Sequence, residues 1–199
     1  MKSKRTLITI VCIVGILLIC CVGGCNTYNK MVGLEEGVDQ SWSEVETQYQ
    51  RRADLIPNLV NTVKGYATHE SQTFEKVTEA RAKATSITLN VDDLTEENLA
   101  KFQQAQNDLS SALKSLLAVS ENYPDLKASK NFEDLQVQLE GTENRIATAR
   151  TRYTEQVKQY NISIRRFPAN IFAGMFGFSS KPQFKAEEGA SKAPEVNFD

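Results

Sequence analysis

Cysteine disappears from this chain after its first 25 residues: Cys12, Cys20, Cys21 and Cys25 are the whole set. Everything beyond them lacks disulfides, thiolate nucleophiles and thiolate metal ligands. Histidine is nearly absent too, with His69 the single example. One histidine excludes an H-E-x-x-H zinc helix, and Tyr66 stands where a carboxylate di-metal bundle would need a glutamate three residues before it. No G-x-S-x-G elbow and no glycine-rich phosphate loop occurs. The Asp92–Asp93 pair makes a poor cation site by itself, because hard cations want several converging oxygens. A formal net charge of -2 gives no field of one sign, so no nucleic-acid partner is expected. With 10 glycines and 5 prolines in 199 residues, the chain is short of the punctuation that many strands would need. No enzyme and no cofactor are expected, and His69 reads as a surface or packing residue.

What is present begins with an apolar run. "MKSKR" precedes "TLITIVCIVGILLICCVGGCNTYN", which carries no charge before Lys30. About 20 apolar residues span a bilayer core, and the stretch from Leu7 to Cys25 is long enough. Lys2, Lys4 and Arg5 outnumber Lys30, so the positive-inside bias places residues 1–5 in the cytoplasm and the following domain in the periplasm or exterior. Two forms of attachment stay open for residues 6–26. The favoured one is a retained transmembrane anchor in the cytoplasmic membrane. The other is a cleaved lipoprotein signal with a lipid on Cys25, suggested by "VGGC".

Beyond the anchor the apolar residues recur at three-and-four spacing. Met31, Leu34, Val38, Trp42, Val45 and Tyr49 form a first stripe. Ile56, Leu59, Val63, Tyr66, Phe74 and Val77 form a second, and Leu99, Phe102, Leu109, Leu113 and Leu116 a third. Phe132, Leu135, Leu139, Ile146, Tyr153, Val157 and Tyr160 form the fourth. No window alternates with period two, so the fold class is all-α. Narrow seams of this kind suit coiled-coil-like packing in an antiparallel, up-down-up-down four-helix bundle over 27–166. Thr95 and Ser129 suit the starts of the third and fourth helices. "RRADLIPN" reads as a corner, with Asp54 as N-cap and Pro57 in the first turn of a new helix; a proline kink in one long helix is the alternative.

The stretches "YNKMVGLEEGV", "WSEVETQYQRRADLIPNLVNTVKGYATHE", "ARAKA", "YPDLKASKNFEDLQVQLEGTENRIATAR" and "FPANIFAGMFGF" together resemble the LemA family of bacterial membrane proteins. The likeness runs from Tyr28 to Phe178. It implies an N-terminal transmembrane helix followed by an all-α, four-helix soluble domain. It implies no particular activity, since the family has no agreed biochemical function.

Candidate sites follow from the expected bundle. A corner at 52–56 and a turn at 123–128 would share one end, where Arg51, Arg52, Asp54, Asn58, Tyr123 and Asp125 would make a composite polar surface for a partner. Glu143, Asn144 and Arg150 are expected to form a structural polar network on the fourth helix. The segment 167–178 is apolar and aromatic, and Ile171, Phe172, Met175, Phe176 and Phe178 could lie in a lipid interface. Residues 179–199 are expected to be a disordered polar tail. The resulting function is a membrane-anchored, non-enzymatic interaction or scaffold module of the bacterial envelope, contacting the bilayer and an unidentified envelope protein. The alternative is lipid binding or membrane shaping through 167–178.

Overall fold

The computed structural model describes residues 2–91 and 94–185, with side chains from residue 23 onward. Among these residues there are six α-helices and no strand. They are α1 (Lys2–Lys64), α2 (Ser71–Ser86), α3 (Glu96–Val119), α4 (Pro124–Lys127), α5 (Lys130–Arg165) and α6 (Ala169–Phe176), with a 3-10 turn at Ser120–Asn122 before α4. The apolar run before Gly23 belongs to the backbone of α1, but its side chains lie outside those described. Among the described residues no helix is long and apolar enough to cross a membrane.

Pro57 does not make a corner. It sits on the exposed side of α1, and the helix continues through it for another two turns. A proline inside a helix lacks the N–H that should reach the carbonyl four residues back. That carbonyl belongs to Ala53, and Arg81 Nε of α2 donates to it at 2.8 Å. The acceptor orphaned by Pro57 is thus supplied from a neighbouring helix, which is what lets α1 pass the position where a local reading would stop it.

The chain reverses instead at 65–70. Gly65 N–H closes onto the Asn61 and Thr62 carbonyls at 3.2 Å each, and a Cβ on Gly65 would stand 3.3 Å from the Thr62 carbonyl oxygen. A larger residue would therefore crowd the last turn of α1. Of the second stripe, Ile56, Leu59 and Val63 extend α1, while Phe74 and Val77 belong to α2, and all five are buried. Tyr66 falls in the turn and is 45% exposed, while its neighbour Ala67 is fully buried.

Cross-helix pairs give the register. Glu35 meets the Tyr160 hydroxyl, Glu44 meets Arg152, and Arg52 meets Glu143, so α1 and α5 run antiparallel along their length. Lys64 over the Phe74 ring and Arg81 on the Ala53 carbonyl set α2 antiparallel to α1. Lys83–Asp108 and Gln106–Ala84 set α3 antiparallel to α2. Thr95 caps α3, its side chain accepting from the Asn98 N–H at 3.1 Å. Ser129 occupies the N-cap position of α5 but makes no capping hydrogen bond with its side chain.

Two apolar clusters fill the interior. The basal one, nearer Gly23, gathers Met31, Val38, Trp42, Phe102, Tyr153 and Tyr160. The apical one, nearer the 65–70 turn, gathers Ile56, Val63, Leu109, Leu116, Leu126 and Leu139. Residues 179–185 correct the expectation of a disordered tail: they run without regular structure along the basal cluster, and Pro182 is buried there. The rest of that tail, 186–199, lies outside the described residues, as does Asp92–Asp93.

Candidate interaction surfaces

The polar residues of "QRRADLIPN" part company on the folded helix. Arg52 is 1% exposed and points inward between the two apolar clusters. Its Nη1 donates to Ser110 Oγ at 2.8 Å and to the Glu143 carboxylate at 3.0 and 3.3 Å. Its Nη2 donates to the Gln106 carbonyl at 3.3 Å and makes a short hydrogen bond to Gln106 Oε1. The guanidinium lies 5.0 Å from the Tyr49 ring centre. A buried guanidinium is costly unless its donors are matched; here both Nη groups are, while the buried Nε makes no hydrogen bond. Arg52 is thus the hub of a polar belt rather than a tip residue.

Arg51, Asp54 and Asn58 face outward on α1 and line an open groove of ≈ 770 Å³ with Leu55 and Gln138. Gln50 Nε2 donates to Asp54 Oδ1 at 2.8 Å, so Asp54 caps no helix and instead joins its own helix's surface. From Asp54 to the end of α1 is about 15 Å at the α-helical rise. These residues therefore do not join Tyr123 and Asp125, and the six-residue composite surface is not formed.

The apical end is made by the 65–70 turn and the 120–129 connection. The Tyr123 hydroxyl donates to Glu70 Oε1 at 3.2 Å, bridging the two. The phenol is held above its ordinary pKa, first by desolvation and then by the Glu70 carboxylate beside it. Leu126 is fully buried beneath, which anchors α4. Tyr66, His69, Pro124 and Asp125 are exposed around this bridge. His69 lies in the turn and not on a helix face.

On α5 the expected network is rearranged. Glu143 pairs with Arg52; Asn144 is exposed. Arg150 stacks its guanidinium 4.7 Å from the centre of the Phe184 ring. The sequence alone misassigns this network because its cation comes from a helix 91 residues away. The single signal pointing to it is an arginine on the apolar track between Tyr49 and Ile56.

At the basal end, α6 lies across the start of the described part of α1. Phe172 packs on Gly24, where a Cβ would stand 2.9 Å from the ring, so this crossing requires the glycine or a shift of the ring. Tyr28 meets the Phe176 ring edge-on at 4.9 Å and the Phe178 ring at 5.6 Å. The outer side of α6 is bare: Ile171 is 54%, Met175 71% and Phe176 53% exposed, and Phe167 before it is 82% exposed. Cys25 is also exposed on α1 at this level, and Arg165 and Arg166 are exposed where α6 begins. Among the described residues no three His, Cys, Asp or Glu side chains converge as metal ligands.

A family model for the LemA family matches residues 41–198, most of the chain. The chain belongs to the LemA family. Among curated proteins, it is similar to "Magnetosome protein MamQ 2" of Paramagnetospirillum magneticum, at 28% identity over 84% of this chain and 67% of the relative. It is also similar to "Magnetosome protein MamQ" of Magnetospirillum gryphiswaldense, at 25% identity with the same coverage. "Protein LemA" of Metamycoplasma hominis is 23% identical over 80% of this chain and 69% of that relative. In this LemA-family chain the matched region takes in every buried residue of the polar belt and the whole 120–129 connection, while Gly24 and Tyr28 precede it.

Proposed function

We propose that this LemA-family protein is a single-pass, membrane-anchored up-down-up-down four-helix bundle that presents its apical end to an envelope partner. The observation that carries the reading is the continuity of α1, which joins the apolar run to the bundle core without a hinge. At 1.5 Å per residue, the 41 residues from Gly24 to Lys64 hold the apical turn about 60 Å from the base. The partner surface is then Tyr66, His69 and Asp125 around the half-buried Tyr123, which Glu70 holds; tyrosines at such an end are favourable interface anchors. Arg51, Asp54 and Asn58 form a separate lateral face. The test is photo-crosslinking in native membranes from Tyr66 or Asp125, compared with Thr148 midway along α5. Adducts are expected from the first two. Adducts of equal yield from Thr148 would overturn the apical assignment, and a cytoplasmic signal from a reporter after Asp199 would overturn the orientation. Fatty-acid labelling lost in Cys25→Ser would replace the retained span with a lipid anchor.

A second reading is supported by the bare side of α6. Phe176 packs on Tyr28 at the level where α1 would leave a bilayer, Phe167, Ile171 and Met175 are exposed on or just before the same short helix, and Arg165 and Arg166 suit anionic headgroups. In this reading α6 lies in the lipid interface and fixes the tilt of the bundle. A tryptophan at Met175 should be quenched by shallowly brominated lipids in vesicles, with one at Leu17 as the reporter of the span. Quenching at Leu17 but not at Met175 would remove α6 from the membrane and leave the anchor in place.

A further inference from the structure

Residues 179–185 have no helix or strand of their own, and the bundle holds them chiefly by side chains that read their backbone. Asn161 does so twice: its Nδ2 donates to the Lys181 carbonyl at 2.9 Å, and its Oδ1 accepts from the Lys181 N–H at 3.0 Å. The Tyr153 hydroxyl donates to the Pro182 carbonyl at 3.0 Å, and Gln103 Nε2 donates to the Lys185 carbonyl at 3.0 Å. Two side chains of the segment occupy pockets. Lys181 Nζ lies 3.4 Å from Glu35 with only 11% of its side chain exposed. Phe184 stacks near-parallel on Trp42 at 6.1 Å, meets Tyr153 edge-on at 5.4 Å, and carries the Arg150 guanidinium on its face.

Main-chain hydrogen bonds that are indifferent to sequence, combined with pockets for selected side chains, are the means by which extended peptides are recognised. We propose that the cleft between α1, α3 and α5 is a peptide-receiving site, filled in cis by the chain's own Lys-Pro-Gln-Phe. Its partner in trans is an extended protein segment with lysine, then proline, then an aromatic residue two places further on. Glu35 selects the lysine, the Trp42–Tyr153–Arg150 box selects the aromatic, and Asn161 and Tyr153 hold the backbone. The cis segment is tethered by the short Gly177–Ser180 link, which gives it a high effective concentration. It therefore keeps the site closed until a competitor is abundant or the strap is weakened. The proposal deepens the interaction-module reading by naming a partner class, and it rests on that reading only for its biological use.

The test uses the full chain in detergent micelles and a fluorescent peptide of residues 179–185, followed by anisotropy. Phe184→Ala opens the box, and that chain is expected to bind the peptide at least about 10-fold more tightly than the wild type does, since the tethered competitor is weakened. The same peptide with alanine for phenylalanine should show no saturable binding. Adding Asn161→Ala to the opened chain should weaken binding about 10-fold, because the peptide backbone then lacks both hydrogen bonds to that amide. A Phe184→Ala chain that keeps its helical circular dichroism and binds no peptide at millimolar concentration would overturn the proposal, as would equal binding of the alanine peptide. Should Phe184→Ala fail to fold, a protease site in place of exposed Ser179–Ser180 allows the strap to be cut after folding. Exchange of the cut strap for labelled peptide supports the site. A cut strap that never exchanges makes it a fixed part of the core and ends the proposal. None of these measurements involves the apical surface or the membrane, so failure here leaves the crosslinking result to be judged on its own.

Discussion

Below Arg52 the core sets large rings, most of them with polar edges, among its aliphatic side chains, and above it aliphatic side chains prevail. The basal half holds Trp42, Tyr49, Phe102, Tyr153 and Tyr160, and the apical half packs Ile56, Leu109, Leu113, Leu116 and Leu126 with Phe74 and Phe132. The difference follows what each half must bury. Backbone outside the α-helices crosses the basal half twice, at 87–91 with 94–95 and at 179–185, and buried carbonyls need donors. The rings supply them: Trp42 Nε1 donates to the Leu89 carbonyl at 3.0 Å, and the Tyr153 hydroxyl serves Pro182. Burial pushes the Tyr153 and Tyr160 phenols well up from their ordinary pKa, so both stay protonated donors at any ordinary pH. Away from its end turns, the apical half is walled by helices whose carbonyls, that of Ala53 excepted, are paired within the helix, and aliphatic side chains are sufficient there.

The largest expected effect breaks this contrast directly. Trp42→Ala should cost about 3–5 kcal/mol, because it removes a buried ring and strands the Leu89 carbonyl. Hydrogen exchange in that variant should rise at 87–91 and 181–185 first. Leu116→Ala should cost about 2–5 kcal/mol while leaving protection of those segments relative to the basal helices unchanged. If Leu116→Ala loosens the strap as much as Trp42→Ala does, the halves are one cooperative unit and the distinction fails.

The polar belt between the halves gives the next effect. Glu143→Ala leaves the buried Arg52 with only its Gln106 and Ser110 partners, and stability should fall by about 1–3 kcal/mol in urea melts. Glu44→Ala removes a superficial pair with Arg152 and should shift stability by less than about 1 kcal/mol. Equal effects would mean that burial of the guanidinium has no energetic consequence.

How much of this is legible in the sequence divides along the same physical line. Apart from Tyr66, which falls in the turn, the stripes identify residues that are buried or partly buried, because three-and-four spacing states a helix's apolar face whatever the helix packs against. Thr95 as a cap is legible for the same reason, being local. The corner is not. "RRADLIPN" looks like a helix start because the remedy for Pro57, Arg81 on the Ala53 carbonyl, lies on another helix. The strap escapes a sequence reading because "SSKPQFK" has a solvated composition and is ordered by side chains far away in the chain. Spacing alone puts Arg52 on the inward track; only the mistaken corner assigns it to the tip.

The proline compensation can be measured as a coupling. In the natural chain, Arg81→Ala should cost about 1–3 kcal/mol by leaving the Ala53 carbonyl without its donor. In a Pro57→Ala background the restored N–H takes that carbonyl, and the same substitution should cost under about 0.5 kcal/mol. Additive effects in this cycle would show that Arg81 does not serve the proline gap.

The smallest effect concerns Glu46, half-buried on α1 beside Trp42. Burial raises its carboxyl pKa above the ordinary 4.5, and the Trp42 N–H, which is engaged by the Leu89 carbonyl, offsets this only in part. A carboxyl with a raised folded pKa binds its proton more tightly in the folded state than in the unfolded one. Its ionised form therefore penalises folding above the folded pKa, and the penalty vanishes below about 4.5, where both states are protonated. Glu46→Gln removes the charge while keeping the shape. It should raise the unfolding temperature modestly at pH 7 and not at pH 4, the gain growing as pH rises through the folded pKa. A gain of the same size at both pH values would assign the effect to amide packing rather than to the buried charge.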